Sequence, residues 1–197
     1  MPVIVTIVIV IVLVLVAGAA AYGFNNLVRR RNRTREAWSQ IDVELKRRHD
    51  LIPNLVATVK GYAAHERATF EAVTAARTAA VTASATADPA AVAAAEDGLS
   101  RVLRSLFAVV ENYPVLRAQE GFRALQEELT ATEDKIEYAR RFYNTCVRDY
   151  TTATQSFPGS LVAGAFHFPP FEYFRADDAD RAVPEADFAT PAAPSGS

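Results

Sequence analysis

Two histidine–carboxylate pairs, His49-Asp50 and His65-Glu66, are the residues of this sequence best suited to chemistry. Imidazole and carboxylate together can hold a divalent metal, and the two pairs approach one another if the segments carrying them pack antiparallel. The surrounding pattern is incomplete. There is no HExxH, and no Glu/His pair at i, i+3 of the kind that builds di-iron bundles. Neighbouring residues also point in different directions around a helix, so at most one of each pair can face a shared site. A metal-dependent enzyme using this cluster stands as the alternative. The plainer reading is that Asp50 caps a helix, Asp42 and Glu44 pair with Lys46 and Arg48, and the histidines sit at polar edges of the packing. No catalytic residue, metal site or cofactor is assigned.

Nucleophilic chemistry has less behind it. The lone Cys146 falls where a small hydrophobe is expected and cannot form an internal disulfide. Tyr143 and Tyr150 share its helix face and read as packing residues with hydrogen-bonded hydroxyls. The sequence holds no glycine-rich phosphate loop, no GxSxG elbow and no paired-cysteine metal motif. A formal net charge of −2 gives no global attraction for nucleic acid.

The elements that must position these residues begin with a membrane-like segment. VIVTIVIVIVLVLVAGAAA, from Val3 to Ala21, is nineteen residues without a charge, and as a helix it spans about 30 Å, the thickness of a bilayer core. Its β-branched character fits a strand, but strands rarely exceed about eight residues. A cleaved signal peptide is the stronger rival, because Ala17-Gly18-Ala19 resembles a cleavage site; the absence of a basic stretch before the apolar run speaks against it. Arg29, Arg30, Arg31, Arg33 and Arg35 follow the span and none precedes it, which places the N-terminus outside and the body in the cytoplasm. The same cluster is a candidate lipid contact.

Beyond the span the apolar pattern is helical. Leu27, Arg31, Thr34, Trp38, Ile41, Leu45 and Arg48 step by three or four, with long arginine side chains laying their stems along the seam. Pro53 predicts a kink or break, with Asp50 as N-cap of a second helix running to about Val81. One face of that helix carries Val56, Val59, Ala63, Phe70 and Val73; another carries Asn54, Thr58, Gly61, His65, Ala68 and Ala72, small enough to admit a close neighbour. Asp88-Pro89 reads as a cap and first-turn pair, and Leu99, Val102, Leu103, Leu106, Val109 and Val110 predict a third helix ending before Pro114. The fourth is the clearest: Phe122, Leu125, Leu129, Thr132, Ile136, Ala139, Tyr143, Cys146 and Tyr150 alternate three- and four-residue steps.

The fold class is therefore all-α: a transmembrane anchor over 1–24, an antiparallel bundle of about four long helices over 25–156, an irregular aromatic and acidic tail over 157–188 that docks on the bundle, and a disordered end over 189–197. Phe166, Phe168, Phe171, Tyr173 and Phe174 are too concentrated to sit free in water. They either dock or form a binding surface.

Three blocks carry a resemblance. YGFNNLVRRRN from Tyr22 with AWSQIDVELKRRHDLIPNLVATVKGYAAHE from Ala37, YNTCV from Tyr143 and FPGSLVAGAFHF from Phe157 together resemble the LemA family. The last block departs from the pattern at Ser160 and His167, where Asn and Gly are expected. The resemblance implies a bacterial single-pass membrane protein with a short outer N-terminus and a helical-bundle body, and singles out Trp38, Asp42, His49, Asp50, Pro53, Asn54, His65 and Glu66 as motif residues. It implies no reaction. The expected function is a membrane-tethered scaffold or adaptor, with the bilayer and a protein at the cytoplasmic face as partners, self-association allowed, and membrane organisation as a further alternative.

Overall fold

The computed structural model describes residues 2–174 apart from 64 and 87; the acidic part of the tail and the expected disordered end lie outside them. The described residues form six helices: α1 (Pro2–Lys60), α2 (Arg67–Ser84), α3 (Pro89–Val110), α4 (Pro114–Ala118), α5 (Glu120–Gln155) and α6 (Gly159–Phe166). The four long ones make the all-α bundle that the periodicities predict. Its neighbours alternate in direction. Along α1 and α5, Arg30 meets Asp149, Trp38 meets Tyr143 and Arg47 meets Glu128, so the two run antiparallel. The α2–α3 hairpin lies across their half farthest from the apolar segment.

One prediction fails at Pro53. No break occurs there: α1 is a single helix of 59 residues with Pro53 inside it, about 88 Å long. Asp50 is an exposed mid-helix residue and not a cap. Proline removes one N–H, leaving the carbonyl four residues earlier, that of His49, without its helical donor. Arg77 of α2 supplies one, its Nε donating to the His49 carbonyl at 2.7 Å. The chain turns later, between Gly61 and Glu66, and the phase of α2 is reset. Phe70, Val73 and Ala80 point inward, while Asn54, Gly61, His65, Ala68 and Ala72 are exposed, so the small-residue face expected to admit a neighbour looks outward.

Arg77→Ala should therefore destabilise the protein by about 1–3 kcal/mol, the penalty for an unsatisfied buried polar group, in a urea titration. In a Pro53→Ala background, where the residue 53 N–H returns to the His49 carbonyl, the same change should matter much less. Equal losses in both backgrounds would show that Arg77 does not compensate the proline.

Helix α3 opens as read, with Asp88 accepting from the Ala90 N–H at 2.9 Å and Pro89 in the first turn, but it starts earlier than the Leu99 seam implied and takes in the alanine-rich run. Helix α5 buries Phe122, Leu129, Thr132, Ile136, Ala139, Tyr143, Cys146 and Tyr150 on one stripe, with Leu125 partly buried. The tail is less irregular than expected, because α6 forms within it. His167 ends α6 with φ 52°, a left-handed conformation that favours glycine. The departure from the family pattern thus falls where the backbone asks for Gly.

Beyond α6 the tail climbs the α1–α5 pair. Tyr150 and Tyr143 donate their hydroxyls to the carbonyls of Pro169 and Glu172, both at 2.8 Å. Asn144 bonds Phe174 twice, through Nδ2 to its carbonyl and Oδ1 to its N–H, each at 2.9 Å. Phe171 meets the Tyr150 ring edge-on at 5.1 Å, and Phe174 lies against Trp38 and beneath the Arg140 guanidinium. Phe168, Phe171 and Phe174 therefore cover the part of α1 and α5 that the shorter α2–α3 hairpin leaves open, while Phe166 and Tyr173 stay exposed.

Candidate functional site

The apolar interior is two clusters. The far one is built around Ile52, Leu55, Val73, Leu99, Leu106, Phe122 and Leu129, the near one around Ala37, Ile41, Leu45, Val92, Ile136, Tyr143 and Phe174. Between them lies a polar layer. Arg48 and His49 lie between Leu45 and Ile52 on α1, Glu96 between Val92 and Leu99 on α3, and Thr132 with Glu133 between Leu129 and Ile136 on α5. Each sits at or beside the phase of its helix's apolar seam, so packing the seams brings these groups to one level.

Glu96 is the centre, its side chain fully buried. Its Oε2 lies 3.2 Å from Arg48 Nη1 and its Oε1 2.6 Å from His49 Nε2. Arg48 also reaches Glu133 Oε2 at 3.3 Å and donates to Ser100 Oγ at 2.6 Å. Two consecutive residues of α1 converge on one carboxylate because arginine is long enough to reach round the helix to where His49 already points. Close by, Arg140 of α5 faces Asp97 of α3 at 3.9 Å, and burial draws its guanidinium below its ordinary range against the opposing pull of Asp97 and Glu133. An open cavity of about 270 Å³ adjoins the layer, bordered by Arg48, Ser100, Arg104, Phe107, Glu133 and Asp134.

Several expectations are corrected here. Arg48 pairs with carboxylates of α3 and α5 and not with Asp42 or Glu44 of its own helix. His49 is buried in the interior and not at a polar edge. The His49, Asp50, His65 and Glu66 cluster does not assemble: Asp50 and His65 are exposed, Glu66 accepts from the Tyr113 hydroxyl at 3.3 Å, and α1 runs on for eleven residues past His49, about 16 Å, so the two pairs stay apart. Among the described residues, no group of three or more His, Cys, Asp or Glu is placed to hold a metal ion.

Trp38 packs edge-on against Tyr143 at 5.3 Å; Asp42, Pro53 and Asn54 face outward. Burial pushes the Tyr143 hydroxyl up to about 12, with Glu172 adding to it, and raises the Cys146 thiol although Arg33 pulls the other way. Neither group is activated. The arginine cluster divides: Arg30 donates to the Asp149 carbonyl at 3.4 Å and Arg31 lies over the Phe168 ring, while Arg29, Arg33 and Arg35 are exposed, Arg33 with its guanidinium over the Phe142 ring. Any lipid contact falls mainly to those three.

Glu96 escaped the sequence reading because it stands in an alanine-rich run with little pattern of its own. The signal was there in its phase. Val92, Glu96, Leu99, Leu103, Leu106 and Val110 step by four and three, which puts a lone carboxylate on a core seam.

The LemA family model matches residues 37–188, from the helix that carries Trp38, Arg48 and His49 through α5 and into the tail. The chain belongs to the LemA family. Two magnetosome proteins of Paramagnetospirillum magneticum, MamQ 1 and MamQ 2, are each 25% identical to it over 175 residues, covering 77% of this chain and 64% of theirs. MamQ of Magnetospirillum gryphiswaldense is 24% identical over 159 residues, covering 69% of this chain and 58% of its own. The chain thus spans less than two thirds of the length of these curated relatives. Within the polar layer both oxygens of Glu96 are occupied, and Arg48 is held by two carboxylates and a hydroxyl.

Proposed function

We propose that this LemA-family chain is a membrane-anchored scaffold that holds a helical body at a fixed distance from the bilayer, where the body engages another protein. One observation carries the reading: a single unbroken helix is both the apolar segment and the central strut of the bundle. The most apolar window of α1 has a mean hydropathy of 3.3 and is unburied, whereas from Leu27 to Val59 the same helix supplies ten buried residues. Such a helix transmits the orientation of the span directly to the body, with no hinge between them.

A protein partner is supported by the open side of the α1–α5 pair, where Val43 and Tyr138 are 64% and 66% exposed and line one groove. The relatives are named for a structure, the magnetosome, and not for a reaction, which favours an assembly role over catalysis. The polar layer adds support, since its groups are committed to one another.

The five arginines following the span support a body in the cytoplasm by the positive-inside rule. A reporter active only outside the cytoplasm, fused after Ser197, should stay silent, and strong activity would reverse the orientation. Mature protein beginning near Ala20 or Ala21 would replace the anchor with a signal peptide.

A further inference from the structure

The end of the bundle nearest the span is closed by the turn after α5 and by α6, and its surface is unlike the rest. From Tyr150 to Phe171 there is no Asp, Glu, Lys or Arg, and on α1 none occurs before Arg29. Both uncharged stretches come to the same level. Val162 of α6 packs against Gly23, where an added Cβ would stand 3.3 Å from Val162 Cγ2, and Phe166 and Phe168 meet the Phe24 ring edge-on at 5.0 and 5.7 Å. Gly23 is two residues past Ala21, so α6 lies beside the exit of the span.

Its other side is bare. Phe157, Leu161 and Phe166 are 81%, 67% and 59% exposed, and Tyr22 of α1 is 70% exposed at the same level. Water is a poor neighbour for such a surface, and a bilayer interface is a good one, since aromatic rings concentrate there and short apolar-faced helices lie in its plane. The charges begin above this level, with Arg29 first on α1 and Asp149 and Arg148 first on α5, so the boundary between charged and uncharged surface crosses both helices of the pair at similar heights.

We propose that α6 and the Phe157–Gly159 turn are a second membrane contact, inserting Phe157 and Leu161 into the headgroup–acyl boundary beside the span. The inference rests on the membrane-span reading and deepens it. The body then sits directly on lipid, and the tail, continuing from α6 up the near cluster through Tyr150, Tyr143 and Phe174, ties that contact to the core.

Spin labels on the full chain in vesicles of phosphatidylcholine and phosphatidylglycerol test this. In a Cys146→Ala background, single changes Phe157→Cys, Leu161→Cys, Val10→Cys and Glu127→Cys carry the label; all four side chains are exposed, so none leaves a gap in the core. The ratio of collisions with oxygen to collisions with an aqueous nickel chelate should be several-fold higher at 157 and 161 than at 127, approaching that at 10. A lipid-like ratio at 10 with water-like ratios at 157 and 161 overturns the second contact and leaves the span standing. Shielding of 157 and 161 from both reagents assigns the face to protein and overturns it too. A water-like ratio at 10 overturns the span and, with it, this inference.

Discussion

Glu96→Ala is expected to destabilise the protein by about 3–5 kcal/mol, because it leaves Arg48 and His49 buried without their shared partner. Urea unfolding of the detergent-solubilised chain measures the loss. Glu133 still meets Arg48 but is half-exposed, and Ser100 is neutral, so neither replaces the fully buried carboxylate of Glu96. The pair as a whole should be nearly neutral, since a buried ion pair gains from its partner roughly what it loses in hydration. The triple change Arg48→Met, His49→Leu and Glu96→Leu, which removes every group that shares the Glu96 carboxylate, should therefore recover most of the stability. A loss below about 1 kcal/mol in the single variant would show that water reaches the layer and that the charges are not truly buried.

Ile136→Ala should cost about 2–5 kcal/mol, the usual range for emptying a packed aliphatic site. Ile136 is wholly inaccessible and belongs to the near cluster with Ala37, Ile41 and Leu45, where rigid helices on both sides limit collapse into the void. Leu125→Ala, at a half-buried place on the same seam, should cost distinctly less. If the two variants were equal, or Ile136→Ala fell below about 0.5 kcal/mol, the α5 seam would not be the packed stripe that its burial describes.

The polar layer matters beyond these numbers. A bundle whose four seams were apolar throughout could slide by a turn at little cost, because one aliphatic contact resembles the next. Placing Arg48, His49 and Glu96 between two apolar clusters fixes one register, since any shift leaves a buried charge facing hydrocarbon. Fixed register also fixes where the α2–α3 hairpin stops, and hence which part of α1 and α5 the tail must cover.

Much of this fold was legible locally. The nineteen-residue apolar run, the α5 seam and the Asp88-Pro89 helix start each depend on residues within a few turns of one another, and helical periodicity or capping reports them directly. Aromatic crowding after Phe157 predicts a docked tail, which holds for Phe168, Phe171 and Phe174 and not for Phe166 or Tyr173. Pro53 misled because the rule that proline ends a helix assumes its orphaned carbonyl has no other donor. Arg77, twenty-four residues later, is that donor. Reading Asp50 as a cap rests on the same assumption, and so does a meeting of His49 with His65.

By itself, then, the sequence determined the all-α class, the anchor-like first helix and which face of α5 turns inward, because these follow from the repeat of side chains along a single helix. Tertiary structure alone decided that α1 runs unbroken, that Arg48 and His49 share Glu96 across 48 and 47 residues, and that α6 lies beside the end of the apolar segment of α1. The physical reason is that a polar group's partner is chosen by what packing brings within about 3 Å, and that choice is made between helices, where periodicity carries no information.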